Sequence, residues 1–278
     1  GFFNNESGFT AAGAPLRDKD DLLNWLKGFT EKEFVIKPIG GMQGPGVFVI
    51  SAIIPEGDSF VLEEVTGKRW SIDELYTCLL KGFKESSFPG YLLEERIKQH
   101  SLINEINDTS LNTCRIVTIK CKQNKIQIPA AFMRLGRKGK SMDNMHQGGI
   151  AAGVNLEEGT LKKGSYNPKW GKGWLSVHPD SQHPIEGFKI PYWEEAKMLA
   201  EKGAAITPGI KSIGWDIGIS EKGPVLIEAN SSWAPINLQA TNGGLLTEAN
   251  KKIFNEYGLF LNRKQLNSDR KEGSQYLG

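Results

Sequence analysis

The chain has 278 residues, a formal net charge of +2 and 3 cysteines. Its length suits one large or two joined domains, its near-neutral charge argues against a nucleic-acid partner, and no apolar run approaches the roughly 20 residues of a membrane span. Cys78, Cys114 and Cys121 have no metal-ligand spacing and fit free thiols in a reducing, cytoplasmic compartment.

Residues 1–15, rich in Gly, Asn and Ala, read as a loop. An Asp-rich start followed by Leu22, Leu23 and Leu26 predicts a helix over 18–29. The stretch EFVIKPIGGMQGPGVFVISAII (33–54) reads as strand, Gly-rich loop, strand. Glycines let successive N–H groups converge on an anion. The following strand rules out a P-loop or a dinucleotide fingerprint, both of which need a helix there. A flap over phosphates, with Lys37 as a point charge, is the functional reading; a plain Gly-rich turn is the structural one. A short strand over 60–65 pairs with 47–54. Ser71 and Glu74 form a capping box for a helix over 71–85.

Pro89-Gly90 opens the extended segment YLLEERI (91–97), whose backbone could pair with an adenine. Glu94 and Glu95 point to opposite faces, so at most one of them can face a nucleotide. His100 begins a short helix. Two strands follow, 110–122 and 125–135, joined at Gln123-Asn124. Arg115 and Arg134 interrupt their apolar runs, as a guanidinium facing a phosphate or an oxyanion would; the alternative for each is a pair with a surface carboxylate. The stretch SMDNMHQGGIAAG (141–153) is polar, then glycine-rich, unlike a core element. Its Asn144, His146, Gly148 and Gly149 are candidates to line a substrate cleft. Residues 160–191 read as a long irregular excursion, 191–206 as a helix with Trp193, Met198 and Leu199 toward the core, 237–242 as a loop and 244–257 as a helix.

The most informative stretch is IGWDIGISEKGPVLIEANSSW (213–233). Two apolar runs flank Glu221-Lys222-Gly223-Pro224, which predicts a hairpin. Folded about Lys222, it sets Asp216 opposite Glu228, with Asn230 on the same face. Facing carboxylates repel and are costly inside an apolar hairpin unless a positive group lies near. Oxygen ligands of this kind suit Mg²⁺ completed by phosphates and water. The alternative is an exposed sheet face where both carboxylates meet water.

In this order, the parts resemble the ATP-grasp superfamily, in its sugar-transfer-associated, α-L-glutamate-ligase-related branch. The resemblance rests on VIKP with the flap, YLLEERI, SLNTCRIVTI, MRLG…DNMHQGG and IGWDIGI…GPVLIEAN. It implies an α+β fold of two lobes, each an antiparallel sheet with helices, and a nucleotide held between them. The expected division is an N-terminal segment over 1–29, either a truncated or a divergent pre-grasp region, a small lobe over 30–88 and a large lobe over 89–278. The resemblance assigns ATP to Lys37, to Gly40, Gly41, Gln43 and Gly44 of the flap, and to Glu94, Glu95, Arg96, Ile97 and His100. It assigns Mg²⁺, or Mn²⁺, to Asp216, Glu228 and Asn230. Arg115 and Arg134 take the catalytic places, and Asn144, His146, Gly148 and Gly149 the substrate. The implied activity is an ATP-dependent carboxylate–amine ligase acting through an acyl phosphate on small, sugar-linked substrates in polysaccharide biosynthesis. The rival readings are a kinase for a hydroxyl acceptor and a nucleotide-binding module without turnover.

Overall fold

The computed structural model describes residues 1–4, 6–28, 33–39, 46–86, 89–167 and 173–257. The chain divides into two units.

The first unit comprises Gly1–Lys98, Thr109–Leu111 and Gly136–Gln147. In chain order it holds β1 (Phe2–Phe3), α1 (Lys19–Lys27), β2 (Phe34–Pro38), β3 (Phe48–Glu56), β4 (Ser59–Glu64), β5 (Arg69–Ser71), α2 (Ile72–Ser86) and β6 (Tyr91–Glu95). The strands form one antiparallel sheet in the order β1-β6-β2-β3-β4-β5. Alternation decides its faces. Phe34, Ile36, Ile50, Leu62 and Leu93 turn to a core that also takes Leu22 and Leu26 from α1 and Leu75 and Leu79 from α2. The opposite face carries Lys37 and Glu94.

Both helices begin as their sequences predict. The Asp18 side chain accepts from Asp21 N at 2.8 Å and caps α1. In α2, Glu74 N donates to Ser71 Oγ (3.2 Å) and Ser71 N donates to Glu74 Oε2 (2.8 Å), a reciprocal capping box. Midway along α2, a Cβ on Gly82 would lie 1.8 Å from the Tyr91 hydroxyl, so only glycine lets β6 pack this closely on the helix.

Two boundaries differ from the sequence expectation. YLLEE is a strand of the first sheet, registered Glu94 with Val35 and Leu92 with Lys37, so this unit runs to Lys98 rather than to 88. The N-terminal segment is part of the same unit, because Phe3 and Leu16 are fully buried in its core and Phe2 pairs with Leu92.

The second unit comprises Gln99–Asp108, Asn112–Leu135 and Gly148–Gly278. Its elements are α3 (Ser101–Asn104), β7 (Thr113–Lys120), β8 (Ile126–Leu135), β9 (Ile150–Asn155), β10 (Thr160–Tyr166), β11 (Trp174–Leu175), α4 (Trp193–Ile206), β12 (Ser212–Ser220), β13 (Gly223–Asn230), α5 (Pro235–Asn242) and α6 (Glu248–Tyr257). The strands form an antiparallel sheet in the order β11-β10-β9-β8-β7-β12-β13. Cys114, Ile116, Met133, Ala152, Trp215 and Ile217 turn one face to a core closed by Trp193, Ala196, Ala200 and Ala204 of α4. Before β7, a buried amide cluster sets the strand's start: Gln99 Oε1 accepts from Asn112 N at 2.6 Å, and Gln99 Nε2 donates to Asn107 O at 2.9 Å.

Three segments of this unit are more regular than their composition suggests. Ile150–Asn155 is a fully packed interior strand, because the small Ala151, Ala152 and Gly153 let neighbouring layers close on it. The expected excursion contributes β10 and β11 to the sheet. Pro235–Asn242 is a helix, begun by proline at its first turn and ended by Gly243 at φ +81°. In α4, Met198 is 57% exposed instead of core-facing.

Candidate active site

The hairpin of β12 and β13 pairs Asp216 with Glu228 and Gly214 with Asn230, as folding about Lys222 requires. The route to that register is less direct. Ser220 pairs with Gly223 across a two-residue turn, which alone would set Asp216 opposite Ile227. A β-bulge between Asp216 and Ile217 restores the shift, because Ile217 pairs with Leu226 and leaves Ile227 as the extra residue. Bulges of this kind re-aim side chains beside functional sites.

The polar face of this sheet gathers five of the predicted residues. β7 brings Arg115 opposite Asp216 and β8 brings Arg134 beside Thr113. Asp216 is fully buried, and Arg115 is 7% exposed. Arg115 Nε donates to Asp216 Oδ1 and Nη2 to Oδ2, each at 2.6 Å, the parallel fork of a bidentate pair. Arg134 Nη2 donates to the same Oδ2 at 2.7 Å, and Arg134 Nε and Nη2 both reach Thr113 Oγ1, at 2.9 and 2.7 Å. Asn230 Nδ2 lies 3.1 Å from Glu228 Oε1 and 3.5 Å from Asp216 Oδ2. Arg115 Nη2 is 3.8 Å from Glu228 Oε1. Gly214 leaves the room this needs: a Cβ there would lie 2.5 Å from Trp233 Cβ and 3.4 Å from Arg115 Cδ.

The electrostatics separate the two carboxyls. Burial pushes the Asp216 carboxyl up, but the Arg134 charge and the Arg115 hydrogen bonds and charge outweigh it, holding the group below its ordinary 3.8. Burial, with the hydrogen bond and charge of Asp216, pushes Glu228 above its ordinary 4.5. The two neighbouring carboxyls are thus shifted in opposite directions.

As donors for a divalent cation, Asp216, Glu228 and Asn230 offer only oxygen, the ligand chemistry of Mg²⁺. Among the described residues no three His, Cys, Asp or Glu side chains are grouped to hold a metal, and here the donors are two carboxylates and an amide. That suffices for Mg²⁺, which keeps waters and binds through one or two carboxylates plus phosphate oxygens. The Asp216 oxygens already accept guanidinium bonds, whereas the Glu228 side chain is 55% exposed and is the most accessible donor. The set fits the ion, with Glu228 foremost.

In the first unit, Lys37 Nζ is 2.5 Å from Glu94 Oε2, on the face away from the core. An open cavity of about 500 Å³ adjoins this pair, lined by Gly1, Phe2, Phe9, Thr10, Ala11, Ile39, Leu92 and Glu94. The N-terminal segment thus lines part of this open depression. Glu95 pairs in register with Phe34. Arg96 Nη1 meets Glu33 Oε2 at 2.5 Å, and Ile97 follows it, half-buried. Gly40, Gly41, Gln43 and Gly44 lie outside the described residues.

Asn144 and His146 belong to the first unit, where Asn144 Oδ1 accepts from His146 N at 2.9 Å. Gly148 and Gly149 belong to the second unit, buried just before β9. His100 also lies in the second unit. There its Nδ1 accepts from Leu102 N at 3.2 Å and its Nε2 stands 3.6 Å from Glu221, so it caps α3. Thr113 is the residue that sequence reading missed. Its hydroxyl orients Arg134, and its only sequence signal is a place at the start of an arginine-bearing strand.

No helix among the described residues is long and apolar enough to cross a membrane. No curated protein matches the chain. The sugar-transfer associated ATP-grasp family matches residues 8–255. With two antiparallel sheets and helices on each, and that match over most of its length, the chain belongs to the sugar-transfer associated ATP-grasp family.

Proposed function

We propose that the protein is an ATP- and Mg²⁺-dependent ligase that joins a carboxylate to an amine. The observation that carries this reading is the Arg115–Asp216–Arg134 cluster, two guanidiniums fixed by one buried carboxylate beside Glu228 and Asn230. An acyl phosphate forms when a carboxylate oxygen takes the γ-phosphoryl group and the bond to ADP breaks. An amine then attacks the acyl carbon, the C–N bond forms, phosphate leaves and the amine gives up a proton. Both steps gather negative charge on oxygen. Donors already fixed in place stabilise it without reorganising.

Each group has a role in this reading. Arg134, tied to Thr113 and Asp216, faces the acceptor carboxylate or the transferred phosphoryl group. Arg115 neutralises Asp216 and keeps the cluster in register. Glu228 and Asn230, with Asp216, hold Mg²⁺, which supplies Lewis-acid charge to the phosphate oxygens when bound. Lys37 holds nucleotide phosphates as a point charge once it leaves Glu94. The family link favours small, sugar-linked substrates of polysaccharide assembly.

The test is product analysis. The protein is incubated with ATP, Mg²⁺ and pooled sugar acids, amino acids and amines, and the products are read by mass spectrometry. ADP, phosphate and an acid–amine adduct lighter by one water support the ligase. ADP with a stable phosphorylated acceptor overturns it in favour of a kinase.

A further inference from the structure

Where β7 ends and β12 begins, the second unit gathers aliphatic and basic side chains on its surface. Met198, Lys202 and Ile206 follow one another at four-residue spacing and form one stripe along α4. The opposite stripe, Ala196, Ala200 and Ala204, is the one that packs on the core. Met198 is 57% and Ile206 76% exposed. Pro208 keeps the helix from continuing, and Gly209, at φ +76°, turns the chain. Ile210 follows the turn and is 45% exposed.

The turn between β7 and β8 adds charge beside these residues. Lys120 N donates to Lys211 O at 2.7 Å, Lys120 Nζ donates to Thr207 O at 3.3 Å, and Cys121 N donates to Lys125 O at 2.8 Å. These bonds hold the turn 121–125 against the loop 207–211. Lys122, Lys125, Lys202 and Lys211 are all exposed. Residues 120–125 and 198–212 carry 5 lysines and 1 acidic residue, Glu201, in a chain whose whole formal charge is +2. Glu256 of α6 adds a second carboxylate near Cys121, so the surface remains basic.

Single apolar residues on a surface need no explanation, but these three lie in one stripe and its adjoining loop, bordered by lysines. A protein partner matches them poorly. Protein interfaces favour aromatic side chains and arginine and are depleted in lysine, whereas neither segment here contains an arginine or an aromatic ring. An anionic bilayer matches both features. Aliphatic side chains enter the boundary between headgroups and acyl chains, and lysines lay their apolar stems along it with the ammonium groups at the phosphates. We propose that the α4 stripe, the loop 207–211 and the turn 121–125 form a peripheral docking surface for a membrane of anionic phospholipid. This surface stands independently of the ligase reading, since it uses none of the residues assigned to the reaction.

Vesicle flotation of the full chain is the test, with phosphatidylcholine alone and with an equimolar mixture of phosphatidylcholine and phosphatidylglycerol. The wild-type chain should float with the mixed vesicles and stay behind with the neutral ones. Raising the ionic strength from about 0.1 M to about 1 M should weaken flotation, because charges are then screened within about 3 Å. Lys122→Glu with Lys125→Glu, and separately Ile206→Ser with Ile210→Ser, should each bind the mixed vesicles about tenfold more weakly or worse. Ile206→Leu with Ile210→Leu should bind as wild type does. All three double variants change exposed side chains, so their melting temperatures should match that of wild type. No flotation of the wild-type chain, equal flotation with both vesicles, or equal flotation of wild type and the serine or glutamate variants overturns the proposal. Self-association that the serine variant abolishes, without vesicle binding by wild type, overturns it in favour of a protein interface.

Discussion

Arg115 and Asp216 face each other across β7 and β12 and close through two parallel bonds of 2.6 Å, with the carboxylate fully buried. A carboxylate on a wet sheet face would be cheap to replace. This one is not, because Asp216→Asn leaves Arg115 buried without its counter-charge. Breaking a buried ion pair from one side costs about 3–5 kcal/mol. Asp216→Asn should therefore lower the urea midpoint at unchanged slope and also abolish turnover. An unchanged midpoint would mean that Glu228, whose Oε1 lies 3.8 Å from Arg115 Nη2, takes over as its counter-charge.

Glu228 behaves in the opposite sense. Its folded pKa is raised, so its contribution to stability is present below its ordinary value of 4.5 and is lost as pH rises through the folded value. Asp216 is depressed, so its contribution is present above its ordinary 3.8 and is lost as pH falls through the lower folded value. Glu228→Gln should unfold at an equal or higher temperature than wild type at pH 7, with the difference shrinking as pH falls toward 4.5. Its turnover should be lost at every pH. Melting curves across this range check both signs, and a variant less stable than wild type at pH 7 would contradict the assigned shift.

Thr113 tests whether orientation of Arg134 matters for chemistry. Its hydroxyl accepts from Arg134 Nε and Nη2 at 2.9 and 2.7 Å. Thr113→Val keeps the shape and removes the acceptor. A hydrogen bond to a charged group is worth about 1.5–3 kcal/mol, so kcat should fall roughly 10- to 100-fold with ATP affinity within about twofold. Arg134→Lys should do no better, because an ammonium cannot span Thr113 and Asp216 as the guanidinium fork does. Equal loss of ATP binding and turnover would remove Arg134 from the acceptor side.

What could be read from the sequence follows how local each signal is. The capping box of α2, the Asp18 cap and the facing pair Asp216 and Glu228 lie within short windows, and period-two or turn chemistry specifies them. Non-local pairing was harder to read. YLLEE could be recognised as extended, but its place beside β2 depends on partners more than fifty residues away in the chain. Ile150–Asn155 looked like a cleft loop because its glycine and alanines carry little strand propensity, yet in the sheet their small size is what lets β9 pack. The bulge at Ile227 had no sequence signal. It reconciles a two-residue turn with the register that the hairpin's carboxylates require.

Lys37 and Glu94 join the first sheet's outer face to the proposed nucleotide role. They lie 2.5 Å apart, with side chains 27% and 48% exposed. An ion pair this exposed contributes little to stability, so Lys37→Ala should leave the melting temperature near that of wild type. ATP carries several negative charges and can compete with Glu94 for the ammonium. Lys37→Ala should then weaken ATP binding about tenfold or more, the loss of one charge-assisted contact. Glu94→Gln should strengthen or preserve ATP binding at low salt, because the lysine is released from its partner. Calorimetric titration with ATP on the three proteins decides the matter. If both variants weaken binding equally, the two residues act as one recognition pair. If neither changes it, Lys37 does not contact the nucleotide.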